Sequence, residues 1–106
     1  MNWQKHKEDL QEGKSVTFRP KGNSMMPRIH SGDEVTVEPI KDHSQINKGD
    51  IVFCKVQGNH YVHLVKATSD TMGEKRFQIG NNKGHVNGWI GKEQLFGKVT
   101  RVDRNK

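Results

Sequence analysis

Residues 22–27 form the segment that organises this sequence, and they read Gly22-Asn23-Ser24-Met25-Met26-Pro27. Glycine and asparagine tolerate backbone angles that most residues avoid, and proline fixes its own φ while biasing the preceding residue away from helix. The six residues therefore predict a stiff bend that presents the hydroxyl of Ser24. A bend of this kind is either an ordinary turn or the support of a nucleophilic serine.

The sequence on both sides of the bend has the pattern of short β-strands. Residues 15–22 and 34–39 alternate apolar and polar side chains, as half-buried strands do. Four further strands are predicted after residue 48, and they lie at GDIVFCKV (49–56), HYVHLVKAT (60–68), RFQIG (76–80) and GKVTRV (97–102). About six short strands on a small chain predict a mainly β fold, either a partly open β-barrel or curled sheets.

Residues 1–12 are predicted to form a short helix or a loose arm that ends at Gly13. Residues 13–106 are predicted to form one β domain, because a chain of 106 residues holds a single modest core. Trp3 and Leu10 are seven positions apart and can share one face of a helix. The segment is therefore expected to dock on the β domain.

Composition and charge argue against several classes of function. The net charge is +6, but the 18 Lys and Arg residues are dispersed with few aromatic neighbours, so nucleic acid is not the expected partner. The sequence has neither a long apolar run nor the apolar centre of a signal peptide, which predicts a soluble cytoplasmic protein without a membrane anchor. The single Cys54 is expected to be a buried thiol, and the histidine spacing indicates no metal or other cofactor.

Four segments, taken in order, resemble the LexA/signal-peptidase superfamily of serine peptidases. Residues 22–27 match its Gly-x-Ser-Met-x-Pro signature around the nucleophile, and residues 29–39 and 48–56 resemble its two Gly-Asp steps into strands. Residues 77–99 resemble its closing segment. The resemblance extends from about Gly13 to Val102, and it implies a LexA/signal-peptidase-like β fold with Ser24 as the nucleophile.

The resemblance leaves two candidates for the base that activates this serine. Some branches use a lysine and others a histidine in a Val-His-Arg-Val strand, to which residues 61–66 are similar. His63 falls at the base position, and Lys66 is the alternative. Imidazole has an unperturbed pKa of about 6.5, whereas a lysine near 10.4 would need a downward shift of roughly three units. Strand alternation places the two side chains on opposite faces unless a bulge intervenes, and we favour His63.

The acid of the histidine branch is replaced by asparagine in this chain. The Gly-Asp-Asn segment of that branch corresponds to residues 80–82, so the first acid position carries Asn81, and a later one falls at about Asn87. Asn81 is expected to orient His63, although it has no charge with which to stabilise imidazolium. Asp70 and Asp103 remain as substitute acids outside the expected segment.

The residues around Ser24 are expected to complete the site. Its backbone N–H would hold the oxyanion, with help from the preceding turn at Gly22 or Asn23. Met25 and Met26 are expected to line the site or the core, because flexible thioethers fill irregular spaces.

Two functions from different classes remain open at this point. One is a serine endopeptidase in which a Ser-His pair cleaves an extended peptide segment. The other is a catalytically inactive module of the same fold that binds an extended peptide or a related protein, which the asparagines at the acid positions favour. Either function is compatible with a homodimer.

Overall fold

A computed structural model describes residues 2–104, which form one α-helix and seven strands in a single open sheet. The elements are α1 (Trp3–Gln11), β1 (Val16–Phe18), β2 (Glu34–Pro39), β3 (Ile51–Val56), β4 (Asn59–Thr71), β5 (Glu74–Gly80), β6 (Val86–Ile90) and β7 (Leu95–Asp103). The strand order is β1-β2-β7-β3-β4-β5-β6, and every neighbouring pair is antiparallel. The prediction of a mainly β fold with a short N-terminal helix is confirmed, and the sheet has free edges at β1 and β6.

Helix α1 docks on the sheet through the two apolar residues that the sequence indicated. The Asn2 side chain caps the helix by accepting a hydrogen bond from the backbone N–H of Lys5 at 3.0 Å. Leu10 is buried, and the indole of Trp3 packs edge-on against the ring of Phe18. The helix shares its core with the sheet, because Leu10 belongs to the same cluster of buried residues as Phe18 and Phe53. The division of the chain into residues 1–12 and 13–106 stays a prediction.

The central strand β3 is covered on both faces, as its continuous apolar run predicts. Phe53 belongs to the core on the face that α1 covers, whereas Val52 and Cys54 belong to the core on the opposite face. Burial raises the pKa of the Cys54 thiol to about 12, so this cysteine stays protonated at neutral pH. The expectation of a buried thiol is confirmed.

Two-residue turns connect β3 to β4 and β4 to β5. Gln57 and Gly58 have φ values of 49° and 85°, the left-handed angles that a type I′ hairpin turn requires. This turn closes the hairpin of β3 and β4, in which Val56 lies opposite Asn59. Farther along, the pairing of β4 with β5 shifts register between Val65 and Ala67, which leaves Lys66 as the extra residue of a β-bulge.

The sequence prediction missed strand β6. Val86 and Trp89 are 44% and 43% exposed because β6 lies at the edge of the sheet, so the segment VNGWI lacks the alternation of a half-buried strand. Gly88 interrupts it with a φ of 146°. The segment is a strand because it pairs with β5, its one neighbour in the sheet. No helix within residues 2–104 has the length and apolar character needed to cross a bilayer.

Candidate active site

Ser24 lies on a bend between β1 and β2 that is anchored from below by the core. The next residue, Met25, is 4% exposed, and its carbonyl accepts a hydrogen bond from the backbone N–H of Ile29 at 3.1 Å. Ile29 is itself buried in the same core. Of the two places expected for Met25, the site or the core, the structure shows the core. Its buried thioether anchors the bend that carries Ser24.

The turn that precedes Ser24 supplies fewer oxyanion donors than the sequence suggested. Gly22 has a φ of 104°, and its N–H donates to the hydroxyl oxygen of Ser31 at 3.1 Å. The proposal that the Gly22 amide helps to hold an oxyanion is therefore corrected, because that donor is already engaged. Within residues 2–104, the backbone amides of Asn23 and Ser24 have no hydrogen-bond partner.

His63, on β4, meets the hydroxyl of Ser24 on the bend between β1 and β2. The Ser24 Oγ lies 3.1 Å from His63 Nε2, although the two residues are 39 positions apart. The imidazole is only 7% exposed, and it stacks on the ring of Tyr61 with 4.7 Å between centroids. Residues two apart on a strand share a face, so this stacking follows from the strand itself. A distance of 3.1 Å is within the reach of a general base.

The second ring nitrogen of His63 contacts Asn87 on β6. The Asn87 Oδ1 lies 2.7 Å from His63 Nδ1. With the Asn87 amide in this orientation, its oxygen can only accept a hydrogen bond, which assigns the proton to Nδ1 and leaves the lone pair of Nε2 toward Ser24. That tautomer is the one in which the imidazole can take the serine proton. The strand that the sequence prediction missed therefore orients the imidazole of His63.

The prediction that Asn81 orients His63 is wrong. The Asn81 Oδ1 accepts hydrogen bonds from the backbone N–H groups of Lys83 at 2.8 Å and His85 at 3.0 Å, so this side chain closes its own turn. The side chain that reaches His63 is Asn87, the later of the two acid positions that the resemblance marked. The resemblance therefore contained the signal, but nothing local distinguished the two asparagines.

The substitute acids do not reach the imidazole either. Asp70 lies opposite Lys75 in the β4–β5 register, near the far end of that hairpin, and Asp103 accepts a hydrogen bond from Arg101 at 3.0 Å. Within residues 2–104, both ring nitrogens of His63 bond to uncharged side chains. The site therefore has the geometry of a triad without its negative charge.

Lys66 supports the loop after β5 instead of bonding to the serine. Its Nζ donates to the backbone carbonyl of Asn81 at 3.1 Å. Its alkyl chain packs across Gly80, where an added Cβ would lie 2.9 Å from Lys66 Cγ. The bulge that would have allowed Lys66 to share a face with His63 is present, yet the ammonium is committed to the loop.

The environment keeps the imidazole of His63 unprotonated near neutral pH. Burial lowers the pKa of His63 below its usual value of 6.5, because charging the ring in a desolvated site is unfavourable. The hydrogen bond to Asn87 raises this pKa and the nearby His85 lowers it, but burial has the largest effect. A neutral ring with its lone pair toward Ser24 is the state that a general base needs.

The Ser24–His63 pair opens into a groove of about 440 Å³. Trp3 of α1 and Tyr61 of β4 line it, together with Lys21 from the segment that precedes the bend. Within residues 2–104, no cluster of three or more His, Cys, Asp or Glu side chains is arranged to hold a metal ion. The chemistry that this arrangement can perform is proton transfer and nucleophilic attack by a serine.

Comparison with known proteins gives a family. A search of curated proteins finds no match to this chain. A family model described as Peptidase S24-like matches residues 3–85, a range that includes α1, the bend at Ser24 and the base position at His63. Since the match spans well over half of the chain and agrees with the superfamily that the motifs resemble, the chain belongs to the peptidase S24-like family.

Proposed function

We propose that this protein is a serine endopeptidase in which Ser24 is the nucleophile and His63 is the general base. The observation that carries the proposal is the 3.1 Å contact between Ser24 Oγ and His63 Nε2, with Asn87 selecting the required tautomer. Family membership supports the same assignment, because the serine lies in the signature segment.

In the proposed reaction, His63 Nε2 accepts the hydroxyl proton as Ser24 Oγ bonds to the scissile carbonyl carbon. The carbonyl oxygen becomes an oxyanion, for which the unengaged amide of Ser24 is the proposed donor. The imidazolium then protonates the leaving amine, the C–N bond breaks, and an acyl-enzyme remains. Water attacks this ester with His63 again as the base, which releases the acid and restores the serine.

The proposed substrate is an extended peptide segment that lies in the groove beside Ser24. Strand β6 is an edge of the sheet and contributes Asn87 to the groove, so its free side offers backbone groups for pairing with a peptide. Trp3 and Tyr61 add apolar surface for side chains of the substrate.

One observation favours the second candidate function, a catalytically inactive module that binds an extended peptide in the same groove. His63 faces the amide of Asn87, and an amide cannot stabilise imidazolium by charge. In a chymotrypsin-type triad, the buried aspartate stabilises the imidazolium that forms during the reaction, and a neutral amide lacks that charge. The peptidase proposal therefore implies a slow enzyme, and its test must detect slow acylation.

The test is covalent labelling with a fluorophosphonate, followed by intact-mass spectrometry at pH values from 6 to 10. We expect one adduct on the wild type, no adduct on Ser24→Ala and strongly slowed labelling of His63→Ala. The matched control is His85→Ala, which removes a groove histidine that does not bond to Ser24 and should retain labelling.

Two other outcomes would change the assignment. Labelling that persists in His63→Ala but disappears in Lys66→Ala would make lysine the base. A wild-type protein that stays unlabelled over the whole pH range would refute the peptidase and favour the binding module, which isothermal titration with extended peptides would then test.

A further inference from the structure

Asn82 joins the loop after β5 to the bend that carries the nucleophile. Its backbone N–H donates to the carbonyl of Ser24 at 2.9 Å, and its side-chain Nδ2 donates to the carbonyl of Met26 at 2.8 Å. The two carbonyls belong to the nucleophile itself and to the residue two positions after it. Two hydrogen bonds from one residue therefore restrict the backbone on which the Ser24 hydroxyl is mounted.

This connection links the two parts of the site that must stay in register. Asn82 is the second residue after β5, and β5 pairs with β4, the strand that carries His63. Ser24, in contrast, lies on a bend outside the sheet between β1 and β2. The core anchors the bend through Met25, but that contact does not fix the position of Ser24 relative to His63. Asn82 is the residue that ties the serine to the part of the sheet that holds the base.

The loop that presents Asn82 is itself held in place. The Asn81 backbone N–H donates to the carbonyl of His85 at 2.9 Å, and the Asn81 side chain closes the turn from inside. Lys66 holds the Asn81 carbonyl from β4. Asn82 is thus delivered from a closed turn rather than from a loose loop, which is what a positioning contact requires.

We infer that Asn82 is a positioning residue, which holds Ser24 Oγ at the distance and direction from which His63 can take its proton. The inference rests on the proposed function, since it concerns the rate of the serine reaction. It assigns no contact with the substrate to Asn82. The expected signature is a lower maximal rate of serine acylation with unchanged probe affinity and unchanged pH dependence.

The experiment compares wild type, Asn82→Ala and Lys83→Ala in fluorophosphonate labelling as a function of probe concentration and pH. Asn82→Ala deletes the side-chain bond to Met26 but keeps the backbone bond to Ser24. We expect its labelling rate at saturating probe to fall about tenfold or more, because small misplacements of reacting groups are costly. The half-saturating probe concentration and the midpoint of the acid limb should not move, since Asn82 does not contact His63. Lys83 is exposed on the same turn, and Lys83→Ala should match the wild type.

Each result bears on a definite claim. If the wild type is labelled and the folded Asn82→Ala variant is labelled at the same rate, the positioning role is refuted and the proposed function stands. A shift of the acid limb in Asn82→Ala would also refute it, because the residue would then act on the base. An unlabelled wild type would refute both proposals. If Asn82→Ala does not fold, Asn82→Asp keeps the shape and places an acceptor against the Met26 carbonyl, so it should show the same loss of rate, and a wild-type rate would refute the inference.

Discussion

Replacing Asn87 with aspartate is expected to supply the charge that the candidate site lacks. The Asn87 Oδ1 lies 2.7 Å from His63 Nδ1, so an aspartate of the same shape would face the imidazole with a carboxylate oxygen. The same tautomer is retained, because a carboxylate also only accepts. The transition state develops positive charge on the ring, and this variant would stabilise it where the wild type cannot.

The expected gain follows from the distance between the two charges. Charge centres about 5 Å apart attract each other by about 3 kcal/mol at an effective dielectric constant of about 20, a value that also describes buried pairs in proteins. Since about 1.4 kcal/mol corresponds to a tenfold change in rate, labelling of Ser24 should accelerate by about 100-fold at alkaline pH. The opposite charge also raises the pKa of His63, so the acid limb of the pH profile should move to higher pH.

The assay is fluorophosphonate labelling of Ser24 across pH 5 to 9, with Asn81→Asp as the matched control. Asn81 Oδ1 caps its own turn and does not face His63, so a carboxylate there should leave the labelling rate within about twofold. The reasoning fails if Asn87→Asp labels no faster than the wild type, or if Asn81→Asp produces the larger acceleration.

Three further predictions concern the base and the core. The acid limb of wild-type labelling should have its midpoint below pH 6.5, and Asn87→Ala should lower it further because the bond that raises the pKa is lost; a midpoint near 10 would indicate a lysine base. The free energy of unfolding, measured in urea, should decrease as the pH falls below 6.5, because His63 has a higher pKa in the unfolded chain than in the folded protein. The decrease should be smaller in His63→Ala. An increase in the free energy of unfolding would contradict the assignment. Phe53→Ala should cost about 3–5 kcal/mol of stability, because this ring is fully buried; Met72→Ala, at an exposed hairpin tip, is the control, and an equal loss there would contradict the placement of the core.

Local sequence was enough to predict the bend at Ser24 and most of the strands. Glycine, asparagine and proline restrict the backbone without help from distant residues, and alternation marks strands that have one face buried. The resemblance of residues 61–66 to the histidine branch also marked His63 as the candidate base, and its Nε2 lies 3.1 Å from Ser24 Oγ. Strand β6 was missed because an exposed edge strand with a central glycine carries no such pattern.

Only the tertiary structure decided which polar groups meet at the site. Asn81 and Asn87 both follow β5 in the chain. The side-chain oxygen of Asn81 accepts a hydrogen bond within its own turn, whereas the pairing of β6 with β5 places the side-chain oxygen of Asn87 beside His63. Lys66 is likewise committed to the loop by a long-range contact. Periodicity describes each segment alone, but the partner of a hydrogen bond depends on how distant segments pack, and that is why the chemistry of this site is a property of the fold.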